Sequence, residues 1–225
     1  MSKRIYITID GPAGAGKSTV ARMLARRLGF SYLDTGAMYR AVTLKALRAG
    51  VDLADEAALT RLASSISMHL TTDPVETTRV FLDGEDVTRE IRSVAVTQNV
   101  SLVARAPGVR RAMVRRQREL AGGGDAVIEG RDAGTVIFPE AQFKFFLTAS
   151  EEERARRRQA DFGSAGRNVS LARLQAEIRA RDQLDSSREA APLRPAPDAQ
   201  VIDCSRLGAE EVVELILSRV RGKIS

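Results

Sequence analysis

The sequence predicts an α/β fold, with a five-stranded parallel sheet and helices on both faces. Three observations carry this expectation. Short β-branched or apolar runs alternate with helical patterns along the chain, the signature of βα units. The first run feeds a glycine-rich turn and then a helix. With 225 residues, 44% hydrophobic and 28% charged, the chain is long enough to bury a core without disulfides or metals.

Residues 4–9, Arg-Ile-Tyr-Ile-Thr-Ile, alternate and predict the first strand. A helix is expected from Lys17 to Leu28, stopped by Gly29. Ser31–Leu33 reads as a short strand, Gly36–Ala49 as a helix ending at Gly50, and Asp55–Ser65 as another helix. Residues 66–87 then lose helical periodicity and contain an Asp83-Gly84 turn, which predicts a small antiparallel meander. Helices are expected near 92–105 and 107–121, separated at Pro107. Ala126–Glu129 and Gln142–Leu147 read as buried strands.

Ser150-Glu-Glu-Glu153 has the spacing of a capping box opening a helix. Phe162–Asn168 reads as a glycine-containing loop, and Ser170 opens a second helix running to about Leu184. Gln200–Cys204 is the last strand and Ala209–Val220 the last helix.

Composition removes several classes. No apolar run reaches the roughly 18 residues of a membrane span. Met1-Ser2-Lys3-Arg4 leads straight into the first strand without a signal-peptide core. The single cysteine, Cys204, permits no internal disulfide. Together these point to the cytoplasm. The net charge of +6 favours anionic partners. Aromatic content of 4% with no Trp argues against single-stranded nucleic acid, which needs stacking platforms.

Gly11-Pro12-Ala13-Gly14-Ala15-Gly16-Lys17-Ser18 matches G-x-x-x-x-G-K-[ST], between a strand and a helix. Such a loop brings backbone N–H groups and a helix N-terminus to phosphate oxygens. Lys17 would bridge the β- and γ-phosphates, and Ser18 would ligate Mg²⁺. Leu33–Arg40 follows the second strand and places Thr35 and Arg40 near the mouth of the sheet, where Arg40 can hold a phosphate through two bonds. The alternative there is a solvated helix arginine. Glu129-Gly130-Arg131-Asp132 clusters two carboxylates and a guanidinium just after a buried strand, and Glu129 is the acidic candidate for a supporting role to Mg²⁺.

Arg154, Arg156, Arg157 and Arg158 precede the glycine loop, and Arg179, Arg181, Asp182, Asp185 and Arg188 follow it. Two Arg-bearing helices joined by such a loop read as a lid that closes over phosphates. The competing account is a pair of solvated faces with i,i+4 pairs such as Glu177–Arg181.

With these blocks assembled, the sequence resembles the bacterial cytidylate kinases over about residues 4 to 220. The resemblance rests on Ile9–Ser18, Leu33–Arg40, Glu129–Asp132, Gly134–Pro139, Arg181–Arg188 and Ala191-Pro-Leu193. It implies a P-loop NTPase core, an enlarged monophosphate-binding insert and a short lid. The expected division is core 1–65, 105–150 and 189–225, insert about 66–104, and lid about 151–188. It implies ATP as donor, bound by Gly11 to Thr19, with Mg²⁺ at Ser18. CMP and dCMP are the implied acceptors.

Ser101, Arg110 and Asp132 would read the cytosine; Thr35, Arg40 and Arg131 would hold the acceptor phosphate. Arg181 and Asp185 would contact the sugar, with Arg188 between the two nucleotides. Lys17, Arg131, Arg158 and Arg188 are the expected catalytic groups. A monomer is expected, with no nucleic-acid or membrane partner.

Two other readings stand beside this one. A P-loop kinase for a hydroxylated metabolite would need a base for its neutral hydroxyl. A nucleic-acid-binding protein would use Arg110, Arg111, Arg115, Arg116 and Arg118.

Base chemistry favours a cytosine reader at Asp132. Cytosine offers an N4 amine to a carboxylate, whereas uracil sets O4 against it, lone pair to lone pair.

Overall fold

The computed structural model describes residues 4–71, 78–164 and 168–223. Strands β1 (Tyr6–Asp10), β2 (Ser31–Asp34), β6 (Ala126–Gly130), β7 (Phe143–Thr148) and β8 (Gln200–Asp203) form one parallel sheet in the order β2-β6-β1-β7-β8. The five strands are those expected from the sequence. Their alternation sorts side chains to two faces. On β6, Ala126 and Ile128 join an apolar cluster with α2 (Thr35–Arg48), α3 (Glu56–Ser65) and α5 (Pro107–Ala121). Val127 joins the opposite cluster with α1 (Lys17–Leu28) and α8 (Ala209–Val220).

Helix ends follow their local chemistry. Asp34 caps α2 by accepting from the Ala37 N–H at 2.9 Å, and Asp55 caps α3 through Ala58 at 2.9 Å. Pro107 occupies the first turn of α5, where its missing N–H costs nothing. Of the meander expected over 66–87, residues 72–77 lie outside the described residues; the rest forms β3 (Met68–Thr71), β4 (Arg79–Leu82) and β5 (Glu85–Asp86), with α4 (Val94–Val103) following. Arg48 of α2 reaches Glu85 at 2.7 Å and also pairs with Glu90, and Lys45 meets Asp83 at 2.8 Å.

Three local expectations are corrected around α6 (Glu151–Ser164) and α7 (Leu171–Ser186). The glycine loop begins later than expected, because Gly163 and Ser164 continue α6; residues 165–167 of that expected loop lie outside the described residues. The capping box forms only by half. The Ser150 hydroxyl accepts from the Glu153 N–H at 3.2 Å, but the Glu153 carboxylate turns to Arg157 at 2.9 Å, and the Ser150 N–H donates to Ser205 instead. The expected Glu177–Arg181 pair is replaced. Glu177 accepts from Arg173 at 3.1 Å and stands 3.6 Å from Arg158, while Arg181 turns toward Asp185. Both replacements keep helical spacing, Arg173–Glu177 and Arg181–Asp185 being i,i+4 pairs one turn to either side, and only the longer Arg158 contact crosses between helices.

Candidate active site

β1 ends at Asp10 and the chain turns at Gly11, where φ is +146° and an added Cβ would stand 2.0 Å from the Leu147 carbonyl oxygen. No side chain fits there. The loop leads into α1, whose N-cap Gly16 supplies no side-chain acceptor to the first-turn N–H groups. Those donors are what a phosphate would meet. Pro12, Ala13 and Ala15 are buried, and Gly14, Ser18 and Thr19 are exposed.

Lys17 is buried and folds across the loop, its Nζ donating to the Pro12 carbonyl at 2.8 Å. Burial, and then the Arg131 charge, push its pKa down to about 7. The Ser18 hydroxyl donates to Glu129 Oε1 at 2.8 Å. Glu129 is raised to about 7 by burial first and by Asp34 second, with Lys17, Ser18 and Tyr32 opposing. A hydroxyl and a buried carboxylate at the loop's end form a hard-oxygen pair of the kind Mg²⁺ accepts.

On the other side of β1, the C-terminal ends of β2 and β6 carry the residues expected to hold the acceptor. Thr35 donates to the Glu129 carbonyl at 2.7 Å. Arg40 donates to the Ile91 carbonyl at 3.2 Å and to Thr97 Oγ1 at 2.9 Å. Arg110 and Asp132 form a buried ion pair, 4% and 3% exposed. Arg110 also donates to the Ala104 carbonyl at 3.1 Å, and its guanidinium stands 5.5 Å from the centre of the Tyr39 ring.

Asp185 is the hub that ties α7 to this wall. It accepts from Arg131 Nε at 3.1 Å and Ser101 Oγ at 3.2 Å, pairs with Arg188 at 3.0 Å, and faces Arg181 at 4.0 Å. Burial works against its charge, but Arg131, Arg188 and Arg181 outweigh it and hold the carboxyl below its ordinary range. Arg181 is lowered to about 9 by burial and by Arg131 and Arg40, and Arg40 to about 10 mainly by burial. These guanidiniums repel one another in one cluster, which therefore favours anions. Arg158 adds to that positive field, although its direct contacts are Glu177 and the Phe162 ring, 5.7 Å from its guanidinium.

Two arginines not singled out individually in the sequence fasten α6 to the phosphate loop. Arg154 donates to the Ala13 carbonyl at 3.1 Å and pairs with Asp182 at 2.5 Å. Arg157 donates to the Ala15 carbonyl at 3.5 Å and the Cys204 carbonyl at 2.5 Å. No sequence pattern marks them, because their acceptors are backbone carbonyls more than a hundred residues away or on another strand end. Their place in an Arg-rich helix was the available signal.

A glycine-rich G-x-x-x-x-G-K-S loop on the central strand, with a cluster of arginines beside it at the sheet's carboxyl edge, defines a P-loop kinase. The cytidylate kinase family model matches residues 7–222, and the chain belongs to that family. It is 59% identical to the cytidylate kinase of Pelotomaculum thermopropionicum, over 95% of both chains. It is 54% identical to that of Geobacillus kaustophilus over 100% of each. Its fold is also that of shikimate kinase from Bacteroides thetaiotaomicron, with a TM-score of 0.50 at 13% identity, covering 97% of this chain and 99% of that one. Among the described residues, no helix is long and apolar enough to cross a membrane.

Proposed function

We propose that the protein transfers the γ-phosphoryl group of ATP to CMP or dCMP, giving CDP or dCDP and ADP. The observation that carries this reading is the buried Arg110–Asp132 pair beside the phosphate loop. It presents donors and a carboxylate together, which suits the N3 and O2 acceptors and N4 amine of cytosine. Ser101 completes the base contacts.

The acceptor phosphate falls to Thr35, Arg40 and Arg131, and the sugar to Arg181 and Asp185. Arg188 stands between the nucleotides. Gly11, Pro12, Ala13, Gly14, Ala15, Gly16, Lys17, Ser18 and Thr19 hold the ATP phosphates. Mg²⁺ would be held by Ser18 with Glu129 behind it, and when bound it neutralises phosphate charge.

The acceptor is already an anion, so no general base is needed. An acceptor phosphate oxygen forms the new bond to the γ-phosphorus as the bond to the ADP oxygen breaks. Lys17, Arg131, Arg158 and Arg188 position the groups and spread the developing charge. The arginines of Asp185's hub would exchange that carboxylate for phosphate and sugar contacts as ligands enter.

The same reading divides the chain into core (1–65, 105–150, 189–225), a monophosphate-binding insert (about 66–104) and a lid (about 151–188). It makes the protein a cytoplasmic monomer of pyrimidine nucleotide metabolism, without nucleic-acid partners. ADP release measured with CMP, dCMP, UMP, AMP and GMP as acceptors tests the assignment. CMP and dCMP should give the highest kcat/KM; a higher value with another monophosphate overturns it.

A further inference from the structure

Asp10 is the last residue of β1, paired in register with Gly130 of β6, and it is 4% exposed. It stands between the two halves of the site. Gly11 follows it and starts the phosphate loop. Its side chain reaches the other way, to the turn after Asp132. Oδ1 accepts from the Ala133 N–H at 2.8 Å and Oδ2 from the Gly134 N–H at 2.7 Å. Among the described residues, Asp10 forms no ion pair with a lysine or arginine, so a buried negative charge rests on two backbone donors.

The fit is close. A Cβ on Gly134 would meet Thr8 Oγ1 at 2.8 Å and Asp10 Oδ2 at 3.4 Å, so only glycine lets this backbone approach the carboxylate undisturbed. The Asp132 carbonyl in turn accepts from the Val136 and Ile137 N–H groups at 2.9 and 3.2 Å, locking the five-residue turn Ala133–Ile137 behind it.

A carboxylate beside a loop built for polyphosphate is electrostatically adverse. Burial pushes Asp10 up to about 6, with the Gly134 and Ala133 N–H bonds opposing. Its place is understandable if the two bonds accomplish something that a neutral group cannot. An asparagine has one carbonyl oxygen for two N–H groups and would set its own NH₂ against the second.

We infer that Asp10 is a positioning residue for the acceptor: its two oxygens fix the Asp132–Gly134 backbone against the strand that carries the phosphate loop, and so set where Asp132 meets the base. This deepens the proposed function and rests on Asp132 being the cytosine reader. The bidentate bond makes the distance between donor loop and base reader a property of one side chain.

The test uses the full-length protein with Asp10→Asn, Asp10→Ser and, as a packing control, Thr8→Val. The serine variant is small enough to admit water should the asparagine variant misfold. Amide exchange without nucleotides reads the bonds themselves. Exchange at Ala133 or Gly134 should accelerate about tenfold or more in the Asp10 variants and not in Thr8→Val. Steady-state kinetics read the positioning. The KM for CMP should rise about tenfold and the CMP-to-UMP ratio of kcat/KM fall at least about fivefold, with the KM for ATP changed less than about twofold.

Unchanged exchange overturns the bond. Accelerated exchange with an unchanged CMP-to-UMP ratio overturns the positioning role and leaves a structural one. A wild-type enzyme without preference for CMP overturns the functional reading instead, and with it the role assigned to Asp10 in selectivity, while exchange still decides the bond.

Discussion

β1 and β6 lie between two apolar clusters, with Ile7, Ile9, Val127 and Ile128 wholly shielded from solvent. Helices α6 and α7 share a far smaller cluster, whose buried members among the described residues are Ala155, Leu174 and Ile178. Partly buried Phe162, Val169 and Leu171 pack against it, and three ion pairs join the two helices: Arg154–Asp182, Arg179–Glu151 and Arg158–Glu177. The exposed pairs among these each contribute little net stability in water. The floor of the site is thus held by burial, which is hard to exchange for anything else. The α6–α7 pair is held by a small apolar cluster and by arginine–carboxylate pairs, and on the proposed reading a phosphate competes for those arginines. A lid needs the second kind of cohesion and a phosphate cradle the first.

Substitution at Lys17 tests the floor most severely. Lys17→Ala should lower kcat/KM by about a hundredfold or more, the scale of one lost electrostatic contact in the transition state. Its melting temperature should hold or rise, because the lysine is buried at some cost to its charge. Activity near that of the wild type would remove the phosphate loop from the mechanism.

Next in size is the wall between the two regions. Asp132→Asn should narrow the CMP-to-UMP ratio of kcat/KM by about 1–3 kcal/mol, the scale of one base-edge contact. The asparagine NH₂ can turn to uracil O4 where the carboxylate repelled it. Arg110→Ala should weaken CMP without any gain for UMP, since it removes only donors. A ratio unmoved by Asp132→Asn would place base reading elsewhere.

The smallest effect, and the most direct on the comparison, is in amide exchange. Without nucleotides, the amides of α6 and α7 should exchange faster than those of β1 and β6. They should slow when ATP and CMP are both bound, leaving the sheet unchanged. Equal exchange in both states would mean that the ionic pair is as fixed as the floor.

The two regions also differed in what their residues announced. The phosphate loop was legible because its function is local: a strand, glycines, Lys17 and Ser18 within one stretch of backbone. The five strands were legible for the same reason, each being a short local run. Asp185 was expected only as a sugar contact. Its hub joins Arg131, 54 positions away, and Ser101, 84 away, and no periodicity links such residues. Glu153 and Glu177 each pair at helical spacing, with Arg157 and Arg173, and spacing alone does not choose among the several neighbours it offers a carboxylate. Asp10 lies one residue beyond the expected strand 4–9 and carries no role in the sequence, since its partners are the backbone N–H groups of a turn over a hundred residues on.

The sheet order has a consequence for the nascent chain. β1 and β2 are not neighbours; each pairs with β6, and the other edge of β1 pairs with β7. The first two strands therefore have no partner in this sheet until about 130 residues have left the ribosome. Until then their apolar edges are open to wrong pairing, and folding must wait on contacts of long sequence separation. The strand that carries the phosphate loop is made first and secured late, so a ribosome that stalls before residue 126 releases a chain whose nucleotide cradle has no wall behind it.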